Sequence, residues 1–181
     1  MPTNAAILSS LNSQVLPRWV KLEKDIKAMG WTVVYTSGYR TWVEQAALRA
    51  QLGKGAALPG YSSHNYGIAT DFNLYNPKTG QWLKKATPKA TWEATGIPKL
   101  IRASGFRWGG DFNGNYDPVH IDLINEFPID QLRALALQTF GDKVDQIKAN
   151  LLNLLGNGAG GPSGATILIG LLVVGIIIKN L

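Results

Sequence analysis

The chain has 181 residues, 45% apolar and 9% aromatic, with six tryptophans, which is enough for one packed domain and excludes a disordered chain. It has no cysteine, so disulfides, thiolate metal sites and thiol nucleophiles are excluded. The formal net charge of +6 suits an anionic partner, but the 18 Lys and Arg residues are scattered rather than clustered, which argues against nucleic acid.

The opening MPTNAAILSSLNSQVLPRW has neither a basic stretch nor a sustained apolar one, so no secretory signal peptide is expected. Residues 5–29 place Leu11, Val15, Trp19, Leu22 and Ile26 along one helical stripe, which Gly30 ends. WTVVYTSGYR, 31–40, reads as a strand running into a turn. Residues 41–53 predict a second helix, with Thr41 as N-cap, Glu44 three residues on and Gly53 as the stop. A Gly/Pro/Ser loop follows over 53–67. IATDFNLY, 68–75, then alternates: Ile68, Thr70, Phe72 and Leu74 share one face, Ala69, Asp71 and Asn73 the other. Residues 76–82 form a turn or hairpin tip, and 91–106 a helix centred on 98–104. RWGGDFNGNYDP, 107–118, is a second loop, rich in glycine and asparagine. VHIDLI, 119–124, is a short strand with His120 and Asp122 opposite Val119, Ile121 and Leu123.

Residues 1–127 therefore read as one domain. An amphipathic helical extension is expected over 128–155, a glycine-rich linker over 156–164, and an apolar segment, ATILIGLLVVGIII, over 165–178. As a helix that segment is about 21 Å long, short of a bilayer core of about 30 Å unless its neighbours extend it. Three readings stay open: a membrane span or tail anchor, a helix docked on a partner assembly, or a buried element of the domain. Fourteen exposed apolar residues would aggregate on a soluble enzyme, so the expectation is a transmembrane segment in contact with membrane lipid. Lys179 alone does not set its orientation.

The chain's two histidines, His64 and His120, lie at or in strands, each near a glycine-rich loop. If the strands are neighbours, His64, Asp71 and His120 converge on one face. Two imidazoles and a carboxylate are a normal donor set for a catalytic zinc that keeps a position for water. Hydrolysis also needs a base, and Asp117, three residues before His120, is the candidate. The alternatives are structural histidines, an ordinary Asp117-Pro118 turn, and an Asp71 paired with Arg40.

Four segments carry a resemblance. Ser62, His64, Gly67, Ala69 and Asp71 fit S-x-H-x-x-G-x-A-x-D, and Asp117 and His120 fit D-x-x-H. SGYRTWVEQ, 37–45, and GFRWGGDF, 105–112, add two more. Together they resemble the LAS-type zinc peptidases of the D-Ala-D-Ala metallopeptidase family, in particular the VanY-like and phage-endolysin L-alanyl-D-glutamate endopeptidases, over about residues 10–125. The resemblance implies an α+β fold in which a small antiparallel sheet carries the site and helices pack it. It implies zinc as cofactor, with His64, Asp71 and His120 as ligands, Asp117 as base and Arg40 stabilising the substrate oxyanion. It places Ser62 at the substrate or orienting the loop. Gln45 either holds the Arg40 loop or is an ordinary helix residue. Trp108 either walls the cleft or belongs to the core. Where many relatives follow the last histidine with an aromatic residue and an acid, this chain has Ile121 and Asp122, which alters the pocket wall.

The implied activity is hydrolysis of a peptidoglycan stem-peptide amide, between L-alanine and D-glutamate. A D-Ala-D-Ala carboxypeptidase and an inactive wall-binding or structural virion module are the rivals. With the apolar tail, the expected setting is a membrane-anchored phage lysis or entry enzyme, at a virion membrane beside its proteins or at the host inner membrane.

Overall fold

A computed structural model describes residues 3–156. They divide into two compact units, the first ending at Ile129 and the second beginning at Asp130. In the first unit the elements run α1 (Asn4–Ser9), α2 (Leu16–Ala28), β1 (Thr32–Ser37), α3 (Trp42–Leu52), β2 (Ala69–Tyr75), β3 (Trp82–Leu83), α4 (Lys89–Glu93), α5 (Ile97–Ala103), β4 (Arg107–Trp108) and β5 (His120–Asp122). The second unit, as described, is the helix α6 (Ile129–Gly156). Among the described residues no helix is long and apolar enough to cross a membrane. The apolar run expected to span one, 165–178, lies outside the described residues, as does the linker beyond Gly156.

The five strands form one antiparallel sheet in the order β1-β2-β5-β4, with β3 pairing the far end of β2. β2 is the hub because its length lets it pair β5 through Ala69–Asp71 and β3 through Leu74 and Tyr75. Its inward residues Phe72 and Leu74 are fully buried, as the alternation predicts. Trp92 and Trp108 close the same core, their ring centroids 6.2 Å apart, and Trp92 meets Phe72 edge-on at 6.4 Å. At the other end Trp19 of α2 packs on Phe106 at 4.3 Å.

Two local expectations change. The helix foreseen over 5–29 is two helices, although its whole apolar stripe is buried. The break is built by Asn12: its side chain accepts from the Gln14 amide, competing with the helix, and its own amide donates 3.0 Å to the Gly67 carbonyl. Pro17 then starts α2, a position where its missing N–H costs nothing. The predicted loop at 107–118 opens with β4, whose Arg107 and Trp108 pair with Asp122 and Ile121. Two residues are too few to show a period in sequence. By contrast α3 begins with the expected capping box, Thr41 and Glu44 each satisfying the other's backbone N–H.

Candidate metal centre

Strand register sets the heart of the site. Asp71 of β2 lies directly opposite His120 of β5, so their side chains rise side by side from one face. On the other edge of β2 an irregularity in β1 between Tyr35 and Ser37 brings Ser37 opposite Asp71. His64 arrives from a short 3-10 turn, Ser63–Tyr66. Gly67 closes that turn with φ 66°, and a Cβ there would stand 2.7 Å from the Asn12 amide nitrogen, so only glycine fits.

The buried His64 ring donates from Nδ1 to the Gly38 carbonyl at 2.7 Å, which leaves Nε2 as its lone-pair atom. That Nε2 lies 3.2 Å from Asp71 Oδ1 and 3.2 Å from His120 Nδ1, and the last two atoms are 2.9 Å apart. Tetrahedral zinc with bonds near 2.0–2.1 Å spaces its ligand atoms about 3.3–3.4 Å apart. The three atoms thus form nearly the face of such a tetrahedron, and the fourth corner is left for a water or a substrate oxygen. Among the described residues this trio is the group of histidines and acids able to hold a metal.

His120 turns its other nitrogen, Nε2, to Asp122 Oδ2 at 3.1 Å. Asp122 is 1% exposed, and Arg107 grips it through Nε at 2.7 Å and Nη2 at 2.6 Å. Burial alone would lower the His120 pKa. Its hydrogen bonds to Asp122 and Asp71, and their charges, outweigh that and raise it to about 9. Burial pushes the Asp71 carboxyl up, but with the imidazoles protonated, as without metal, the charge of His64 and the hydrogen bonds both rings then donate hold it well below the usual carboxylate range. Asp122 is kept ionised the same way by Arg107 and His120. The sequence had Asp122 only as a departure in the pocket wall. The signal was present in the alternation of VHIDLI, which puts positions 120 and 122 on one face.

A cavity of about 400 Å³ opens over the trio, lined also by Arg40, Ser62, Lys85 and Asp117. Arg40 Nη2 reaches Ser37 Oγ at 2.9 Å and stands 3.8 Å from Asp71 Oδ2, so the Arg40–Asp71 pairing and a position beside the metal ligands coexist. Gln45 is 1% exposed; its Oε1 accepts from Arg40 Nη1 at 2.7 Å and its Nε2 donates to the Ala57 carbonyl at 2.7 Å. Of the two readings of Gln45, bracing the Arg40 loop is the one this geometry fits: it lies at the cavity wall with its amide oxygen on Arg40 and its amide nitrogen on the Ala57 carbonyl. Of the two readings of Trp108, the core one fits its burial. It is 1% exposed, does not line the cavity, and donates its indole N–H to the Pro118 carbonyl at 2.8 Å. The burial of its large apolar ring outweighs any role on the wall.

Asp117 is held by its backbone, donating to Gly109 O at 3.0 Å. A Cβ at Gly109 would collide with the Asp117 carbonyl, which is why the Trp-Gly-Gly segment tolerates no side chain at that position. Asp117 Oδ2 faces Lys85 Nζ at 3.3 Å, while Oδ1 is buried with no hydrogen-bond partner among the described residues. A buried carboxylate oxygen without a donor calls for a ligand-borne one. Lys85 carried no motif that could have marked it in sequence, and Arg107, although inside GFRWGGDF, had no role assigned to it there.

The family model described as D-alanyl-D-alanine carboxypeptidase matches residues 56–123, the stretch containing the metal trio and Asp117. The peptidoglycan L-alanyl-D-glutamate endopeptidase CwlK of Bacillus subtilis (strain 168) is 34% identical over 107 residues. That alignment covers 52% of this chain and 62% of the relative, so the chain spans less than two thirds of the relative's length. The structure is similar to that of the L-Ala D-Glu endopeptidase ChiX of Serratia marcescens, with TM-score 0.51 and 17% identity over 70% of this chain and 90% of that one. At such identity the likeness is one of fold. The stretch that carries the site is thus the one that matches this family model, and the α+β architecture with its small antiparallel sheet is the fold shared with ChiX.

Proposed function

We propose that this chain is a zinc-dependent peptidoglycan peptidase that hydrolyses the amide between L-alanine and D-glutamate in the stem peptide. The observation that carries the reading is the near-tetrahedral face made by His64 Nε2, Asp71 Oδ1 and His120 Nδ1 in a cavity that also presents Asp117 and Arg40. The donor set fits zinc, and both imidazoles have a partner on their far nitrogen that fixes the ligating atom. Bound there, zinc would bring the pKa of a water toward neutrality and polarise the scissile carbonyl. Asp117 would take the proton of the attacking water on its unpartnered Oδ1 and pass it to the leaving nitrogen. Arg40, braced by Gln45 and Ser37, would hold its guanidinium beside the oxygen on which negative charge develops. Ser62, on the cavity wall, would orient the peptide.

The choice of bond leans on CwlK, an L-alanyl-D-glutamate endopeptidase. A second reading, D-Ala-D-Ala carboxypeptidase, is favoured by the description of the family model that matches 56–123. The apolar run 165–178 extends the proposal: it would tether the enzyme to a virion membrane or host inner membrane, confining cutting to wall within reach of that bilayer.

Mass spectrometry of purified peptidoglycan digested by the full-length protein tests the reading. The expected products carry a new L-alanine carboxyl and a new D-glutamate amine, and a chelator abolishes them. Asp117→Ala should bind zinc but release no fragment. Release of D-alanine alone would move the enzyme to the carboxypeptidases. No product from several wall types would refute hydrolysis and leave a structural or wall-binding module.

A further inference from the structure

We propose that Lys85 recognises the substrate, binding a carboxylate carried on the carbon next to the leaving nitrogen. The inference rests on the peptidase reading and deepens it. Lys85 follows β3 on the cavity rim, with its ammonium 3.3 Å from Asp117 Oδ2 and its side chain 65% exposed. Its backbone is not a loose loop. Lys84 N donates to Thr87 Oγ1 at 2.9 Å, Thr87 N donates back to the Lys84 carbonyl at 2.9 Å, and the Trp92 indole donates to that same carbonyl at 3.4 Å. The Tyr116 hydroxyl, one residue before Asp117, donates to the Thr87 carbonyl at 2.7 Å. The turn bearing Lys85 is thereby fastened to the segment bearing the base, which keeps the ammonium within reach of the carboxylate.

The other two cations of the cavity wall are committed to protein groups. Arg107 gives two bonds to Asp122, and Arg40 is divided among Gln45, Ser37 and Asp71. An ammonium has three donors, and Asp117 occupies one. The remaining two have no hydrogen-bond partner among the described residues, and Lys85 lines the cavity.

Chemistry fixes what they meet. Asp117 must come within hydrogen-bond reach of the leaving nitrogen to return its proton. A carboxylate on the adjacent carbon lies two bonds farther on, about the distance that separates Lys85 from Asp117. D-glutamate joined onward through its side-chain carboxyl presents such a group, and so does a terminal D-alanine. A chain carrying an amide there gives Lys85 nothing to bind.

The test compares kcat/KM of the zinc-loaded full-length protein, Lys85→Met and Lys85→Arg on four acetylated peptides. Two contain the L-Ala-D-Glu bond, with the α-carboxyl free or amidated; two are D-Ala-D-Ala, with the terminus free or amidated. The wild type should favour the acid over its amide by about tenfold, as expected for one hydrogen bond to a charged group. Lys85→Met should lose that preference, chiefly through KM, and Lys85→Arg should keep it. The pair showing the preference identifies the source of the carboxylate. An acid-to-amide ratio unchanged in Lys85→Met overturns the proposal. Equal losses on acid and amide overturn it as well, since they would make Lys85 only a modulator of Asp117. A wild type that cuts none of the four peptides overturns the peptidase reading together with this inference.

Discussion

Replacing Asp122 with alanine should weaken the metal site and the fold through one set of contacts. Asp122 accepts from Arg107 at 2.6 and 2.7 Å, from His120 Nε2 at 3.1 Å and from the Ile124 amide at 3.2 Å, while 1% exposed. Removing one partner of a buried ion pair costs about 3–5 kcal/mol. The Arg107 side chain is 35% exposed and can recover water, so the low end, about 3 kcal/mol, is expected here. The second loss is in metal affinity. Without Asp122 the His120 ring loses the hydrogen bond on Nε2 that turns Nδ1 toward Asp71, and losing such an outer partner costs about 10–100-fold in metal binding. Asp122→Asn keeps an acceptor for the Nε2 proton but loses the charge, and should fall nearer tenfold. Urea unfolding of the chelated protein reads the first quantity, and zinc competition against a chromogenic chelator reads the second. If Asp122→Ala loses stability but keeps zinc affinity within twofold of wild type, the idea that Asp122 orients the ligand is wrong.

Two further outcomes follow from the same geometry. Gly67→Ala must place a methyl against the Asn12 backbone at φ 66°, which should cost about 2–4 kcal/mol in chemical denaturation and loosen zinc binding through His64; a loss under about 1 kcal/mol would show that the turn can shift without strain. In the metal-free protein the pKa of His120 is raised from 6.5 to about 9, so its protonation contributes stability fully present below about pH 6.5 and lost as pH rises through 9. Zinc must displace that proton, so calorimetry in buffers of different ionisation enthalpy should find about one proton released per zinc at pH 7–8; none released would place the proton elsewhere.

Much of this was legible because its cause is local. The alternation of 68–75 and 119–124 put Asp71 and His120 on the polar faces of two strands, and Thr41 and Glu44 announced the start of α3. What stayed hidden depends on contacts distant in sequence. Asn12 breaks the first helix because Gly67, 55 positions away, offers it a carbonyl. Gln45 carries the same letters whether it faces water or braces Arg40; only burial against the Ala57 carbonyl decides. Trp108 was undecided for the same reason, since a motif records that a residue is there and not which way it points. Lys85 meets Asp117 across 32 positions through a turn without any periodic signal.

The pattern of charges around the cavity bears on what it attracts. Asp71, Asp117 and Asp122 are each faced by a cation, Arg40, Lys85 and Arg107 respectively. With neutral imidazoles, the protein groups alone therefore balance. A divalent metal on His64, Asp71 and His120 would leave the site with a surplus of about two positive charges, focused by low-dielectric walls. A surplus of that kind disfavours cationic peptides and draws anionic ones. On the proposed function, the stem peptide, with free carboxylates flanking its amides, would meet that field with the complementary sign. The scattered lysines that give the chain its net +6 would act over a longer range, holding the enzyme near an acidic wall polymer, and salt should weaken that attraction before it weakens the pairs inside the cavity.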